Sequence, residues 1–219
     1  METQYFNRGI YSYSEASRLI SLSPARIRGL INGYKYPNKK PKPVIKKHSL
    51  AYANREYLSF LDLIELKFIT HFLKIGIKRS EIINSYKKAR NELRKEYPFA
   101  TKFTTDGKYI LAENKAILLK LADEQLELKG LLESNLYEGI DFKDDIAQSW
   151  RPYVKEFPHV ILDPTKKYGH PIIDDYGIQT ASILDMYLAE NHNYKKLEEV
   201  YSIPTVLLKE AVQFEQRLG

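Results

Sequence analysis

Along the first hundred residues apolar positions recur at helical spacing. Tyr13, Ala16, Leu19 and Ile20 fall on one face, and Ser12 precedes them with Glu15 three residues on, the spacing of a capping box. A second stripe, Ile27, Leu30 and Ile31, follows Ser23 as N-cap and Pro24 at the first helical position, where a missing N–H costs nothing. Gly33 ends that helix, and Leu22 in the turn is placed to plug the angle between the two. No helical period survives from Tyr34 to Arg55, where Pro37, Pro41 and Pro43 break regular structure. Val44-Ile45 and Leu50-Ala51-Tyr52 predict the two short strands of a wing. A third helix, capped by Ser59, carries Leu63, Leu66, Phe68, Ile69, Phe72 and Leu73 and stops at Gly76; a fourth runs from about Lys78 to Lys95, before Tyr97-Pro98.

The pattern then changes. Asp106-Gly107 lies between Lys102–Thr105 and Lys108–Leu111, a strong hairpin signal. Residues 117–136 read mostly as helix, although Ile117-Leu118-Leu119 also fits a strand. Ala147–Tyr153 and His159–Leu162 read as extended, predicting a small sheet with Trp150 buried against it, and Gly169–Ile178 as a second hairpin. Helices are predicted over about 181–190, 194–201 and 205–217, with Leu197, Val200, Ile203, Val206, Leu207, Ala211, Val212 and Phe214 as their shared apolar face. The fold class is therefore mainly α with small β elements (α+β). Three parts are expected: a winged helix-turn-helix over 1–98, a middle linker or dimerisation region over 99–158, and a trihelical, helix-turn-helix-like end over 159–219.

Charge sharpens this division. Residues 1–98 hold 20 Lys and Arg against 8 Asp and Glu, a net +12; the rest hold 14 against 20, a net −6. A basic half carrying two short helices, the second with arginines near its start, points to duplex DNA. The residues assigned to it are Arg18, Ser23, Arg26, Arg28, Lys35, Lys39, Lys40, Lys42, Lys46 and Lys47. Arg26 and Arg28 are placed to read bases, whereas loop lysines act as mobile point charges on phosphates.

Other chemistry is thin. With no cysteine there are no disulfides, no thiol catalysis and no cysteine metal site. No run approaches 18 apolar residues, and Met1–Tyr5 lacks a signal-peptide pattern, so the cytoplasm is expected. His159, Asp163, His170 and Asp174 match no metal-ligand template, and Asp144-Asp145 and Asp174-Asp175 read as solvated loops. Neither a glycine-rich phosphate loop nor a Ser-His-Asp pattern emerges. No enzyme activity, cofactor or metal is expected.

Two resemblances give these features a context. Tyr11–Leu19, Leu22–Arg28, Leu61–Leu66 up to Gly76 and Glu81–Ile83 occur in the order of the DNA-binding head of the MerR-like regulators. Arg28-Gly29-Leu30 stands where that family has Arg-Tyr-Tyr, and its long dimerising coiled coil and metal-binding cysteines are absent, so the resemblance implies a DNA-reading head alone. Tyr168–Ile173, Gly177–Thr180, Glu198–Tyr201, Val206–Val212 and Phe214-Glu215 resemble domain of unknown function family 433, with Gln179 in place of a proline. Joined to Gly139–Phe142 and Trp150-Arg151-Pro152, the set looks like type II antitoxins paired with PIN-domain ribonucleases. That implies a homodimer that binds its own promoter, represses its operon and neutralises a PIN-type toxin with its C-terminal half. Arg217, near a C-terminus expected to be mobile, is the best candidate to enter the toxin's carboxylate cluster, with Arg151, Lys166 and Lys167 as alternatives. A stand-alone regulator without a toxin is the competing reading, and a nuclease using acidic C-terminal ligands a third.

Overall fold

A computed structural model describes residues 8–34, 37, 42–45, 50–52, 55–101 and 137–219. The hairpin expected at Asp106-Gly107 and the helix expected over 117–136 lie outside them. The chain divides into two compact units, Tyr11–Glu138 with Phe142–Ala147, and Met1–Ile10 with Gly139–Asp141 and Gln148–Gly219.

In the first unit, α1 (Tyr13–Ile20) starts where Ser12 Oγ accepts from the Glu15 N–H at 3.1 Å and the Glu15 carboxylate accepts from the Ser12 N–H at 2.7 Å. This reciprocal cap satisfies donors that a helix start otherwise leaves open. Ser21 closes α1 in the left-handed conformation (φ 53°) and turns the chain over three residues into α2 (Pro24–Asn32). Leu22 is buried in that turn. β1 (Leu50–Tyr52) pairs antiparallel with β2 (Arg55–Tyr57), Ala51 opposite Glu56. The expected strand at Val44-Ile45 is instead a bend whose two side chains are buried, with the Val44 N–H donating to the Leu30 carbonyl at 2.7 Å. Among the described residues this pair, anchored on α2, joins no ladder. Arg55–Tyr57 takes the partner role for β1.

α3 (Phe60–Lys74) is the core of this unit. Ser59 and Asp62 cap each other reciprocally, and every residue from Asp62 to Leu66 is buried, so α3 is enclosed on more than one face. Full burial of each Leu, Ile or Phe there contributes about 1.5–3 kcal/mol. α1 and α4 (Arg79–Leu93) pack on it. Phe99 closes the far side, edge-on to Phe72 and Tyr86 with ring centres 5.7 and 5.2 Å away.

In the second unit, β5 (Val160–Ile161), β6 (Ile172–Ile173) and β7 (Ile178–Gln179) form an antiparallel sheet, Val160 opposite Ile173 and Ile173 opposite Ile178. β3 (Ile140–Lys143) and β4 (Ile146–Trp150), whose residues 142–147 are grouped with the first unit, make a hairpin over Asp144-Asp145, both at positive φ as a two-residue hairpin turn requires. Trp150 at the end of β4 bridges to Leu162 and is buried. Gly139 must be glycine: its φ is +71°, and a Cβ would lie 2.2 Å from the Arg151 carbonyl oxygen. α5 (Thr180–Ala189), α6 (Tyr194–Tyr201) and α7 (Thr205–Leu218) pack together, with Tyr153, Phe157 and Phe214 meeting as a cluster of T-shaped ring pairs.

The apolar face of these helices differs from expectation at two positions. Val200 and Val206 are 50% and 68% exposed, and Leu207 is half-buried. In α7 the inward stripe is Leu208, Ala211, Val212 and Glu215, and Val206 is rotated about 200° from Leu208 at 100° per residue. In α6 the stripe is Tyr194, Leu197 and Tyr201 at i, i+3, i+7, which leaves Val200 to one side. Glu215 is buried because its carboxylate accepts from the Thr180 hydroxyl. Among the described residues no helix is long and apolar enough to cross a membrane.

Candidate functional site

Burial of Ile27, Leu30 and Ile31 turns the opposite side of α2 outward, and Arg26 and Arg28 are exposed on it, as is Arg18 on α1. Ser23 Oγ accepts from the Arg26 N–H at 3.4 Å, a long cap that sets where α2 begins. Arg28 lies over the Tyr13 ring, 5.2 Å from its centre, while the Tyr13 hydroxyl donates to Glu56 at 3.3 Å. Burial, then the Glu56 charge, push the Tyr13 phenol up to about 12, so it stays a neutral donor and a stable platform. Stacking of this kind contributes about 0.5–1 kcal/mol at an exposed site and leaves the guanidinium N–H groups open to a second partner.

Of the cationic residues after α2, Lys42 is described and exposed; Lys35, Lys39, Lys40, Lys46 and Lys47 lie outside the described residues. Lys42 belongs to a contact that the sequence reading missed. Arg79 Nη2 donates to the Gly29 carbonyl at 3.1 Å and to the Lys42 carbonyl, and the guanidinium covers the Tyr34 ring at 4.6 Å. That ring rests on Gly29, where a Cβ would sit 2.2 Å from it. The one available signal was Gly29 itself, a residue costing about 1 kcal/mol in a helix interior relative to alanine. Position 29 is thus one that the Tyr34 ring needs free of a side chain.

A second missed residue is Glu65, fully buried on α3. Its carboxyl accepts from the Tyr86 hydroxyl at 3.1 Å and the Phe99 N–H at 3.2 Å. Burial raises its pKa well above the usual carboxylate range, against the lowering effect of the Phe99 N–H. Glu65 falls four residues before Ile69 and seven before Phe72, on their buried side, which was its signal in the sequence.

The cations of the second unit are placed differently. Arg151 bonds Asp141 through Nη1 at 2.9 Å and Asp174 through Nη2, while Ser149 also donates to Asp141, at 2.6 Å. Lys166 Nζ lies 3.6 Å from Asp174 and 3.8 Å from Asp163, so Arg151 and Lys166 converge on Asp174. Lys167 is exposed at positive φ (46°). Arg217 is not on a mobile tail: α7 continues to Leu218, and the Arg217 guanidinium lies 5.6 Å from the Tyr153 ring centre. His159 is held by Glu210 through both its backbone N–H (2.7 Å) and Nδ1 (2.8 Å), and Asp163 accepts from the backbone N–H and the hydroxyl of Thr165. Among the described residues no group of three or more His, Asp or Glu is arranged to hold a metal ion.

No family model matches the chain. It is 22% identical over 225 residues to "Putative antitoxin VapB45" of Mycobacterium tuberculosis, covering 94% of each chain. It is 20% identical over 228 residues to "Uncharacterized protein Rv2308" of the same organism, covering 98% of this chain and 93% of that one. Among solved structures, the X-ray crystal structure of Rv2018 from Mycobacterium tuberculosis matches with a TM-score of 0.67 and 19% identity, over 94% of this chain and 99% of that one. The two chains share a fold. The α+β arrangement of helices and small antiparallel sheets described above therefore recurs over nearly the full length of a solved protein.

Proposed function

We propose that this chain is a DNA-binding antitoxin of a type II toxin–antitoxin pair, which acts in the cytoplasm by binding rather than by catalysis. The observation that carries the reading is the relationship to the protein named "Putative antitoxin VapB45", which extends over 94% of both chains rather than over one motif. The basic N-terminal half supports the DNA part. Two capped helices joined by a three-residue turn present Arg18, Arg26 and Arg28 to solvent, the arrangement a helix-turn-helix uses to reach the major groove. A homodimer would set two such faces on an inverted repeat in its own promoter and repress the operon.

The partner of the C-terminal half is a PIN-type ribonuclease. The net −6 of residues 99–219 suits a basic partner surface, and such pairing governs encounter and partner choice. A carboxylate-rich toxin site needs a cation from this chain. Arg217 is the candidate at least internal cost, because it is exposed and stacked on Tyr153 rather than bound to acids.

The test is co-expression of the full chain with the product of the neighbouring reading frame, followed by measurement of complex formation and of that product's ribonuclease activity. A stable complex with suppressed cleavage is expected. A folded chain that binds its upstream DNA but not the neighbouring product would leave a stand-alone regulator.

A further inference from the structure

Arg79 is the first residue of α4, where the positive end of a helix dipole disfavours a cation. The start of α4 is served by Glu81, whose carboxylate accepts from the Lys78 N–H at 3.2 Å. At that end the charge of Arg79 works against the dipole of the helix that carries it. α2 has the complementary deficit: its last turn holds no basic residue, and its last four carbonyls have no partner within the helix. Two of them are met from outside, Leu30 by the Val44 N–H and Gly29 by the Arg79 guanidinium. The same guanidinium holds the Lys42 carbonyl and covers Tyr34. A residue that breaks a local rule at its own position is explained by what it does elsewhere.

We propose that Arg79 is the positioning residue for duplex binding: it sets the register of residues 42–45 against the exposed arginine face of α2, so that Lys42 and Arg26 meet the DNA as one surface. This rests on the DNA-binding reading above. Two directed N–H bonds and a flat stack are needed together, and lysine supplies only a point charge.

The test uses the full-length chain and two labelled duplexes, its own upstream sequence and a random sequence of equal length, titrated over a salt series. Arg79→Ala and Arg79→Lys should each weaken binding to both duplexes by roughly tenfold, the scale of one lost charge-assisted hydrogen bond. Each should also make the log–log salt slope shallower by about 1, as expected when one phosphate contact is no longer made. Gly29→Ala separates positioning from plain stability. It favours the helix, yet its Cβ displaces the Tyr34 ring on which Arg79 stacks, so it should reproduce the shallower slope with no fall in melting temperature. Lys87→Ala, exposed on the same helix, controls for loss of one charge and should leave the slope as in the parent chain. Folded Arg79 variants that keep the parent affinity and slope would overturn the role while leaving the DNA-binding reading intact. A parent chain that binds neither duplex would remove that reading, and this role with it.

Discussion

Arg28 and Arg151 are the same residue type in opposite electrostatic circumstances. Arg28 rests on a neutral tyrosine, and among the described residues no carboxylate pairs with it. Arg151 is held between Asp141 and Asp174, with Lys166 as a second cation on Asp174. The first arrangement orients a guanidinium and leaves its charge for an outside partner. The second consumes the charge within the unit and returns a fixed geometry, tying the strand β3 and the turn after β6 to the end of β4. Arg151 would thus have to break two ion pairs before it could enter a toxin, and that cost ranks it below Arg217. Positive charge in a sequence is evidence for a polyanion partner only where the fold leaves it unmatched.

The largest predicted effect breaks the internal case. Arg151→Ala leaves the carboxylates of Asp141 and Asp174 facing one another's neighbourhood without their shared cation, and should destabilise its unit by about 1–3 kcal/mol. Trp150, buried beside it and the sole tryptophan of the chain, reports that unfolding by its fluorescence in urea. An unchanged midpoint would mean that the network is ornamental. The external case should behave in reverse. Arg26→Ala with Arg28→Ala should lower the unfolding free energy by no more than about 1 kcal/mol, the scale of the lost Arg28–Tyr13 stack at an otherwise exposed pair of positions. The pair should instead lose about 1–3 kcal/mol of discrimination between upstream and random duplexes for each base contact removed. Equal losses on both duplexes would make these arginines phosphate contacts.

A third prediction concerns the scaffold beneath the arginine face. The folded-state pKa of Glu65 is raised above its unfolded value, so the folded chain binds more protons than the unfolded chain in the window between them. Stability contributed by the neutral carboxyl is therefore complete below the unfolded pKa and declines as pH rises through the window, by up to about 1.4 kcal/mol per pH unit for one proton. Glu65→Gln keeps an acceptor for the Phe99 N–H and a polar partner for Tyr86 while removing the titration. It should match the parent near about pH 4 and exceed it near about pH 8, read from the helical circular dichroism in urea. A parent chain whose midpoint is flat over that range would show that Glu65 does not titrate there.

How far the sequence could be read depended on the range of the interaction. Helix ends set by neighbours within three residues were legible: Ser12 with Glu15, Ser23 with Pro24, Ser59 before α3, and the Tyr194–Tyr201 helix all stand where their local chemistry puts them. Val44-Ile45 was misread because two β-branched residues fit a strand equally well as an anchor, and the choice was made by the Leu30 carbonyl, fourteen residues earlier in the chain. Val200 and Val206 were misread because hydrophobicity does not say which side of a short helix finds neighbours. The arginine face was legible from burial of its opposite side. Arg79 was not, since its partners Gly29 and Lys42 lie 50 and 37 positions away. Arg151 stood in a legible motif, but its two acids were visible only once the strands had brought them together.

The smallest effect isolates a single charge. Lys42 contributes two separable groups: its carbonyl accepts from Arg79, and its side chain is exposed. Lys42→Ala deletes the second and keeps the first, so the backbone of 42–45 should stay registered on α2 and the melting temperature should not move. What is lost is one mobile cation near the arginine face. Because a lysine on a loop acts as a point charge on phosphate, the loss should weaken every duplex alike, with a salt slope shallower by about 0.9 and no change in discrimination. Arg26→Ala should change discrimination and Lys42→Ala only the slope, in titrations of the same two duplexes. If Lys42→Ala instead alters the preference for the upstream sequence, its ammonium reads a base edge, and the boundary between reading and positioning residues moves from α2 into the segment that Arg79 holds.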